Sequence, residues 1–508
     1  MPLSPPSDEF DAASVSELLR LHTETRAGAA RKAAQEKDIL RWGKLCFPDK
    51  FPIPFCADLH EYFVSIRHAP RTNTRAPREH AKTIIRCFLI PLFQALEEPG
   101  EYEFCLNVQA TDDKGEGINR TIQQELEENE VLHLLYGNQI TPRWTKGEFQ
   151  IKKGGIFKGV GVGRSIRGVQ YNGKRPSYIV ADDIYDEDDL HNAEATQKKT
   201  DWFWSTLYPA RNRSRKNSVH VQGTAINLSD IYCKLDEDTR WTSKTFSCFL
   251  PSGAALWPEL ALQALNDSGS PGNLADFAVK ELEADRRSMG SVIFEREQEN
   301  KYRDDATSII KKAWLYPPDA PSWEYDPAKE LKFDRHLQLV EVSLGFDPSV
   351  GEKVQNDFSA GALLYWTQYE DAEGCEFWIV ALWNQHLSQD KRILLLQAIH
   401  DAAEEQHPLT QANLEAIGAF QDFSSEAIRR TTLPIVEIKT VKDKMSRLEG
   451  KSSLFENGKV HLNKNIDPEL KDMLTHQLTT NAPKHDDIRD ALLLALDKEG
   501  GQDGKEWD

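Results

Sequence analysis

The sequence predicts two consecutive α/β domains, the first of them built on a mainly parallel central sheet. The chain of 508 residues is too long for one ordinary hydrophobic core. Apolar strand-like runs alternate with helical stretches from about residue 60 to 235, and the pattern returns from about 337 to 497. Between these regions lies a segment rich in proline and aromatic residues, WLYPPDAPSWEYDPAKE, which predicts a boundary near residue 325.

The chain ends carry short segments that differ in composition from the two domains. The start is rich in proline and serine and is followed by a charged, alanine-rich stretch, which is typical of a tail and a helix. We predict a tail and leading helix at 1–40, a first domain at 41–325 with a small irregular subdomain at about 240–325, a second domain at 326–497, and a disordered tail at 498–508.

The net charge and the cysteine content exclude several classes of function for this protein. A formal net charge of -19 argues against a protein that coats DNA nonspecifically, because such proteins neutralise many phosphates with Lys and Arg. Three basic clusters, at 71–82, 158–175 and 211–216, are either solvated faces or local DNA contacts. The seven cysteines include no Cys-x-x-Cys pair, which argues against a disulfide framework or a zinc site and favours a reducing cytoplasm. We predict neither an export signal nor a membrane span.

The segment APREHAKT, followed by an apolar helix-like run, has the character of a phosphate-binding loop. In such a loop a lysine binds the β- and γ-phosphates, and a Ser or Thr hydroxyl binds magnesium. Lys82 and Thr83 supply these side chains. The candidate loop before them consists of Arg78, Glu79, His80 and Ala81. Because Glu79 and Ala81 replace expected glycines, and the preceding RTNTRA is polar for a buried strand, a plain helix start is the alternative.

Two acids about a hundred residues later strengthen this interpretation. In PSYIVADDIYDEDD, a mostly apolar run leads directly into Asp182 and Asp183. An acid at the end of a buried strand can hold magnesium, and the next carboxylate can orient or deprotonate the attacking water. We therefore predict Asp182 as a magnesium ligand and Asp183 as the catalytic carboxylate of an ATPase. The alternative is a strand followed by a solvated acidic turn.

Two further residues complete the predicted ATPase site. The run NSVHVQGTAINLSD predicts a strand that ends near Thr224, where a polar residue can sense the γ-phosphate. Arg167, in GVGVGRSIRG, can stabilise charge on the phosphates of a neighbouring subunit. Ordinary turn chemistry at Thr224 and a surface or DNA-facing arginine are the alternatives.

Acidic residues in the second half follow the order of an RNase H-like nuclease. Asp347 ends the first strand of a predicted hairpin, and Glu415 follows a short apolar stretch. Asp486, Asp487 and Asp490 open an apolar helix. Clustered acids of this kind hold the two divalent ions of phosphodiesterases, so we predict Asp347, Glu415 and Asp487 as metal ligands and catalytic residues. Which of the three helix acids binds metal stays open, and simple helix capping is the alternative.

In the order and spacing of these motifs, the chain resembles the large subunit of tailed-bacteriophage terminases, the ATPase-nucleases that package viral DNA. The resemblance extends from about residue 55 to 497. It rests on APREHAKT, GVGRSIRG with RPSYIVADD, ALWPEL, FEREQENKY, FDPSVGEKVQNDFSA and KHDDIRDAL. It implies a P-loop ATPase domain followed by an RNase H-like nuclease domain. It assigns the roles above to Lys82, Thr83, Asp182, Asp183, Asp347, Glu415 and Asp487, and a coupling role to Thr224.

The resemblance also implies a function and partners. The function is ATP-driven translocation of double-stranded viral DNA into a capsid, with metal-dependent endonuclease cleavage of concatemeric DNA. The cofactors are ATP and Mg²⁺, with Mn²⁺ as an alternative in the nuclease site. The partners are double-stranded DNA, the portal protein, the small terminase subunit and further copies in a ring. The place of action is the host cytoplasm, transiently at the procapsid portal and not in the mature virion.

Two other functions remain open at this point. One is a helicase-like or repair ATPase-nuclease, which would separate strands instead of packaging DNA. The other is a degenerate ATPase that serves as a DNA-binding platform, which the carboxylate of Glu79 in the phosphate loop would suit.

Overall fold

The structure, a computed structural model, describes residues 12–497 apart from 101–102, 172, 187–188, 191, 214–215, 225, 228, 263, 265–272, 302–307, 317–336, 349–357, 370–373, 405–406, 417–419, 440–442, 482 and 484. Its contacts divide the chain into two compact units, Met1–Ala284 with Glu295–Tyr302 and Asp285–Phe294 with Arg303–Asp508. The boundary predicted near residue 325 and the tail predicted at 498–508 lie outside the described residues.

The first unit contains a seven-stranded sheet. Its strands are β1 (Arg71–Arg75), β2 (Phe104–Gln109), β3 (Glu148–Gln150), β4 (Ile156–Gly161), β5 (Tyr178–Asp182), β6 (Ser218–Gly223) and β7 (Thr242–Thr245). Their order is β3-β4-β2-β5-β6-β1-β7, and all neighbours are parallel except β3 and β4. This confirms the predicted α/β class with a mainly parallel central sheet. Because β6 lies between β1 and β5, the segments that follow these three strands meet at one edge of the sheet.

The polar segment RTNTR forms an interior strand, β1, between β6 and the edge strand β7. Its buried polar side chains have hydrogen-bond partners, as buried polar groups generally require. Thr72 Oγ1 lies 2.7 Å from His220 Nδ1 and accepts a hydrogen bond from Arg86 at 3.1 Å. Asn73 Nδ2 donates to Asp236 Oδ1 at 2.8 Å. The polar side chains that made this segment an unexpected strand in the sequence therefore belong to a buried hydrogen-bond network.

The second unit contains a six-stranded mixed sheet. Its strands are β8 (Leu337–Asp347), β9 (Ser359–Tyr369), β10 (Cys375–Gln385), β11 (Gln411–Glu415), β12 (Ile435–Ile438) and β13 (Val460–Leu462). Their order is β12-β11-β8-β9-β10-β13. Strands β8, β9 and β10 form an antiparallel meander, β11 pairs with β8 and β12 with β11 in parallel, and β13 is parallel to β10. An antiparallel meander extended by parallel strands beside its first strand agrees with the predicted RNase H-like fold.

Helices surround both sheets, and several contain short π-helical or 3₁₀ segments. Among the described residues the helical segments are Ala12–Gln35, Ile39–Cys46, Ala57–Glu61, Tyr62–Ser65, Ile84–Leu89, Ile90–Glu97, Asp112–Glu128, Glu130–Tyr136, Ala193–Trp202, Phe203–Leu207, Tyr208–Ala210, Ile231–Asp236, Pro258–Ala261, Leu274–Met289, Ser291–Glu297, Lys312–Leu315, Gln389–Glu404, Phe420–Arg430, Lys444–Gly450, Ser452–Glu456, Pro468–Thr479 and Asp487–Ala495. Within the described part of the chain, no helix combines the length and apolar character needed to cross a membrane.

The helix Asp487–Ala495 packs directly on β8. A Cβ atom at Gly345 would lie 2.0 Å from the carbonyl oxygen of Ala491, so only glycine permits this close approach. Ser343 Oγ and Asn413 Nδ2 donate hydrogen bonds to carbonyl oxygens in the last turn of the helix, at 2.8 and 2.7 Å. Such carbonyls have no partner within a helix, so these bonds fix its carboxyl end. Its acidic amino end is thereby held beside the ends of β8 and β11.

Candidate active sites

Residues from three strand ends of the first unit meet around Lys82 and Thr83. The buried Lys82 places Nζ 3.1 Å from Asp183 Oδ2, and Thr83 Oγ1 donates a hydrogen bond to Asp182 Oδ2 at 2.7 Å. The backbone N–H of Thr224 donates to Asp183 Oδ1 at 3.1 Å. The structure thus brings these five predicted site residues together, while their individual roles in hydrolysis stay predictions.

Asp182 is fully buried, and its carboxylate accepts hydrogen bonds from several side chains. Gln109 Nε2 donates to its Oδ2 at 3.0 Å, and Gln222 Nε2 donates to its Oδ1 at 2.8 Å. Burial raises the pKa of Asp182, and the negative charge of Asp183 raises it further. Neither glutamine was predicted from the sequence. Their signal was a polar side chain at or next to the carboxyl end of a strand, Gln109 on β2 and Gln222 on β6.

Asp183 follows β5 in a conformation that a non-glycine residue rarely adopts. Its φ is 41°, and its side chain is 39% exposed. A Cβ atom at Gly223 would lie 2.1 Å from the Tyr232 hydroxyl and 2.9 Å from Asp183 Oδ1. Glycine at this position therefore leaves room for the Asp183 carboxylate. Backbone strain of this kind is commonly found at functional sites.

A cavity of about 850 Å³ opens over these residues, and we call it the nucleotide cavity after the ligand that the sequence predicts there. Its size lies within the usual range of small-molecule sites, roughly 300–1,000 Å³. It is lined by Arg78, Glu79, Ala81, Lys82, Thr83, Ile84, Lys114, Asp183, Tyr185, Asp186, Leu190, Thr224, Ile226, Tyr232, Arg296 and Glu297. Of the predicted loop, His80 is the residue that does not line it, and Asp182 lies beneath it behind Thr83.

Two arginines of the cavity wall share one buried carboxylate. Glu297 forms ion pairs with Arg78 and, at 2.9 Å, with Arg296. The backbone N–H of Arg78 also donates to the carbonyl of Glu297 at 3.1 Å, so this segment is attached to the phosphate loop. Glu297 thus orients two cations at the cavity. The motif FEREQENKY supported the family resemblance, but no role was predicted for Arg296 or Glu297 within it.

The loop itself adopts the backbone conformation that its missing glycines would have favoured. Glu79 and Ala81 have φ values of 64° and 56°, in the left-handed region. For residues other than glycine this conformation costs roughly 1–2 kcal/mol each. The substitutions therefore keep the loop geometry at the expense of local strain.

Replacing Ala81 by glycine should relieve part of this strain. We expect Ala81→Gly to raise the free energy of unfolding of the first unit by about 1 kcal/mol, measured by urea denaturation. Ala29→Gly, in the helix Ala12–Gln35, is the control and should lower it by about the same amount. Equal destabilisation by the two substitutions would contradict the strain at Ala81.

A buried histidine holds the strained loop from behind. His60 is fully buried, its Nε2 donates a hydrogen bond to the carbonyl of His80 at 3.1 Å, and its Nδ1 accepts one from the Cys56 N–H at 3.1 Å. Its ring packs edge-on against Trp257, with the centroids 4.7 Å apart. Burial lowers the pKa of His60 to about 4, so the ring is neutral in the folded state.

This neutral ring makes stability depend on pH. Because the unfolded chain takes up a proton near pH 6.5 and the folded chain near 4, stability is expected to decrease as pH falls through this window. Between pH 7 and 5 the loss from His60 should be roughly 2 kcal/mol. In His60→Gln, whose amide can donate and accept in the same way, urea unfolding at the two pH values should show a smaller difference than in the wild type. An unchanged difference would contradict the buried neutral ring.

Arg167, the predicted trans-acting arginine, lies apart from the nucleotide cavity. It is exposed in the loop between β4 and β5 and is absent from the residues that line the cavity. Its neighbour Arg164 forms an ion pair with Asp112 at the start of the helix Asp112–Glu128. The predicted action of Arg167 on a neighbouring subunit stays a prediction.

In the second unit the three predicted acids come together at the edge of the sheet. Asp347 ends β8, Glu415 ends the adjacent parallel strand β11, and Asp487 begins the helix that packs on β8. Asp347 is 8% exposed. Burial raises its pKa well above the usual range, and the negative charges of Asp490, Asp487 and Glu415 raise it further. The sequence placed these acids correctly relative to the strands, while their role as metal ligands stays a prediction.

The three acids at the start of the helix have different partners. Lys444 Nζ lies 3.0 Å from Asp486 Oδ2 and 2.5 Å from Asp490 Oδ2, and Arg489 lies 2.9 Å from Asp486. Asp487 Oδ2 is buried and accepts no hydrogen bond from any residue that the structure describes. An unpartnered buried carboxylate oxygen is costly without a cation. Asp490 Oδ1 is likewise buried and accepts no hydrogen bond within the described residues, so Asp487 and Asp490 each keep one oxygen for a metal ion.

Lys444 supplies the positive charge of this site. Burial alone would lower its pKa, but the carboxylates of Asp490 and Asp486 outweigh burial and raise it. Among the described residues, no three His, Cys, Asp or Glu side chains lie close enough to hold one metal ion. The donor set, carboxylate oxygens alone, is the chemistry that Mg²⁺ and Mn²⁺ prefer.

Comparison with known proteins finds no matching family model and no matching curated protein. Among solved structures, the chain is similar to the large terminase of a thermophilic bacteriophage in complex with ATP-gamma-S, with 10% identity, 87% of this chain and 98% of that chain covered, and a TM-score of 0.49. It is similar to the HK97 bacteriophage large terminase, with 14% identity, 86% and 94% covered, and a TM-score of 0.33. It is also similar to the large terminase nuclease from thermophilic phage G20c with bound magnesium, with 13% identity, 37% and 96% covered, and a TM-score of 0.24. These three solved structures are thus two large terminases and a terminase nuclease.

Proposed function

We propose that this chain is a DNA-packaging enzyme of the terminase large-subunit type, with an ATPase in the first unit and an endonuclease in the second. The observation that carries the proposal is the nucleotide cavity, in which Lys82 contacts Asp183 and Thr83 contacts Asp182. A lysine, a hydroxyl and two consecutive acids around one cavity form the set that nucleotide hydrolysis requires. The acid cluster around Asp347 adds a separate site for phosphodiester cleavage.

The residues of the first site divide the work of hydrolysis. Lys82, now paired with Asp183, would bind the β- and γ-phosphates, which frees the Asp183 carboxylate to orient the attacking water and accept its proton. Thr83 and Asp182 would hold Mg²⁺, which neutralises phosphate charge when bound. Thr224 donates its N–H to Asp183, so a change at Asp183 reaches the end of β6 directly. This contact suits the coupling role that the resemblance implies.

The residues of the second site would act on DNA. Asp347, Glu415 and Asp487 would hold Mg²⁺ or Mn²⁺, which stabilise charge on the scissile phosphate when bound. Lys444 would leave the carboxylates it now neutralises and contact a phosphate of the DNA instead. Its pairing with Asp486 and Asp490 keeps the acidic cluster neutralised until then.

We also propose the partners and the cellular location of this activity. The partners are double-stranded DNA, the portal protein, the small terminase subunit and other copies of the chain in a ring. The place of action is the host cytoplasm, with transient docking on the procapsid portal.

The test is ATP hydrolysis by the intact protein with and without linear duplex DNA, compared with Lys82→Ala. We expect DNA to stimulate hydrolysis in the wild type and hydrolysis to be lost in the variant. No hydrolysis in either protein, with DNA binding retained, would favour the DNA-binding platform instead. Displacement of one strand from a forked duplex would favour a helicase-like enzyme. Packaging is read directly as DNA protected from nuclease in the presence of procapsids.

A further inference from the structure

Arginines gather around Tyr208 at the edge of the first unit's sheet that lies opposite the nucleotide cavity. We call Arg71, Tyr208, Arg211, Arg213 and Arg240 the Tyr208 cluster. The guanidinium carbon of Arg211 lies 3.7 Å from the centre of the Tyr208 ring, and that of Arg71 lies 5.7 Å from it. Both distances are those of cation–π contacts, which hold an arginine in place without neutralising its charge.

Among the described residues, three of these four arginines form no ion pair, although Arg71 lies near enough to Asp238 to lower the pKa of that carboxyl. Arg240 pairs with Asp238. Within the described part of the chain, no carboxylate lies within ion-pair distance of Arg71, Arg211 or Arg213. Burial lowers the pKa of Arg211, and the positive charges of Arg213 and Arg71 lower it further. Like charges held together repel each other, so an anion bound here would be stabilised by all three.

The base of the cluster is rigid and aromatic. Trp204 and Trp241 pack against Tyr208, with ring centroids 5.3 and 5.9 Å away. The backbone carbonyl of Tyr208 also accepts a hydrogen bond from Arg211 at 2.5 Å. Arg71 and Arg211 therefore lose little side-chain entropy when they bind an anion, which favours binding.

The position of the cluster separates it from the nucleotide cavity. Arg71 begins β1, whereas the phosphate loop follows the end of β1, so the two are about 17 Å apart along the strand. Arg213 is exposed, and Arg71 and Arg211 are half-buried, so the cations lie on a surface. Several cations on an open surface match phosphates repeated along a nucleic-acid backbone better than one small anion.

We propose that the Tyr208 cluster binds the phosphate backbone of duplex DNA irrespective of base sequence. The proposal rests on the proposed function for the choice of duplex DNA. It assigns a role to one of the three basic clusters of the sequence, at 211–216, in a chain whose net charge is -19. The cluster would hold DNA by charge, and the acidic remainder of the chain would limit how much DNA surface it engages.

The test is the binding of a fluorescent 30-base-pair duplex by the full chain, without nucleotide and in EDTA, at several salt concentrations. The Asp347→Asn background prevents cleavage. Each lost phosphate contact should lower the slope of log affinity against log salt by about 0.9 and weaken binding on the order of tenfold at 0.1 M salt. We therefore expect Arg211→Ala/Arg213→Ala to reduce the slope by about 2. Lys32→Ala/Lys198→Ala, which removes the same charge from exposed helix positions, should leave it unchanged.

A single variant and a measurement of ATP hydrolysis control for misfolding of the double variant. Arg213→Ala alone replaces an exposed side chain, so it should fold normally and reduce the slope by about 1 even if the double variant unfolds. Basal ATP hydrolysis should be unchanged in both variants. Wild-type affinity and slope in both variants, or a loss seen with single-stranded RNA but absent with duplex DNA, would overturn the proposal. Because binding is read without nucleotide, failure of the ATPase in the wild type would reject the proposed function separately.

Discussion

Replacing Asp347 by asparagine is expected to abolish DNA cleavage and to leave ATP hydrolysis unchanged. Asparagine has nearly the same shape but cannot provide the negative charge that a divalent metal requires. We expect cleavage of supercoiled plasmid in Mg²⁺ or Mn²⁺ to fall on the order of 10³-fold or more, as when a central catalytic group is removed.

The charges around Asp347 predict a second measurable effect of this substitution, on the unfolding temperature. Asp347 is buried among Asp490, Asp487 and Glu415, so its charge is unfavourable in the absence of metal. Metal-free Asp347→Asn should therefore unfold at a temperature equal to or above that of the wild type. The control, Asp401→Asn on the helix Gln389–Glu404, removes an exposed carboxylate and should retain cleavage. Plasmid cleavage that survives in Asp347→Asn would remove this residue from the nuclease site.

Replacing Asp183 by asparagine is expected to stop ATP hydrolysis while nucleotide still binds. The Asp183 carboxylate is partly exposed to the nucleotide cavity, and it contacts both Lys82 and Thr224. Asparagine preserves the hydrogen bond from Thr224 but cannot accept a proton. We expect the turnover rate to fall on the order of 10³-fold.

Nucleotide binding distinguishes Asp183 from Lys82. Since Asp183→Asn removes the negative charge beside Lys82, affinity for ATP should be unchanged or higher, whereas Lys82→Ala should weaken it. Isothermal titration with a non-hydrolysable ATP analogue measures both. Asp201→Asn, an exposed acid of the helix Ala193–Trp202, is the control for general charge effects and should hydrolyse ATP normally. Parallel loss of binding and hydrolysis in Asp183→Asn would argue for a structural role of this acid.

The sequence alone predicted the features that depend on short, local patterns. The apolar run before Asp182 and Asp183 predicted a buried strand, and β5 ends at Asp182. Asp347 and Glu415 were likewise predicted next to strand ends, and the strands pair so that both lie at one edge of the sheet. These inferences hold because strand patterns are local and the carboxyl ends of parallel strands meet.

Other features depended on contacts between distant residues. The polar β1 could not be read as a strand, because its partners, Arg86, His220 and Asp236, come from elsewhere in the chain. Local pattern also gave no means of placing Gln109 and Gln222 on Asp182, or Glu297 between Arg78 and Arg296. Hydrogen bonds between side chains far apart in sequence leave no periodic signal.

By itself, then, the sequence predicted the α/β class, the order of the two candidate sites, and the acids and the lysine that the structure brings together there. Only the tertiary structure decided how a loop without glycines keeps its shape, through positive φ at Glu79 and Ala81 and the hydrogen bond from His60. It also showed that Asp487 and Asp490 each keep a buried oxygen without a hydrogen-bond donor among the described residues, whereas Lys444 pairs with Asp486 and Asp490. The reason is physical: spacing along the chain restricts which residues can be close, but burial and partners determine which of them are charged, strained or free to bind a ligand.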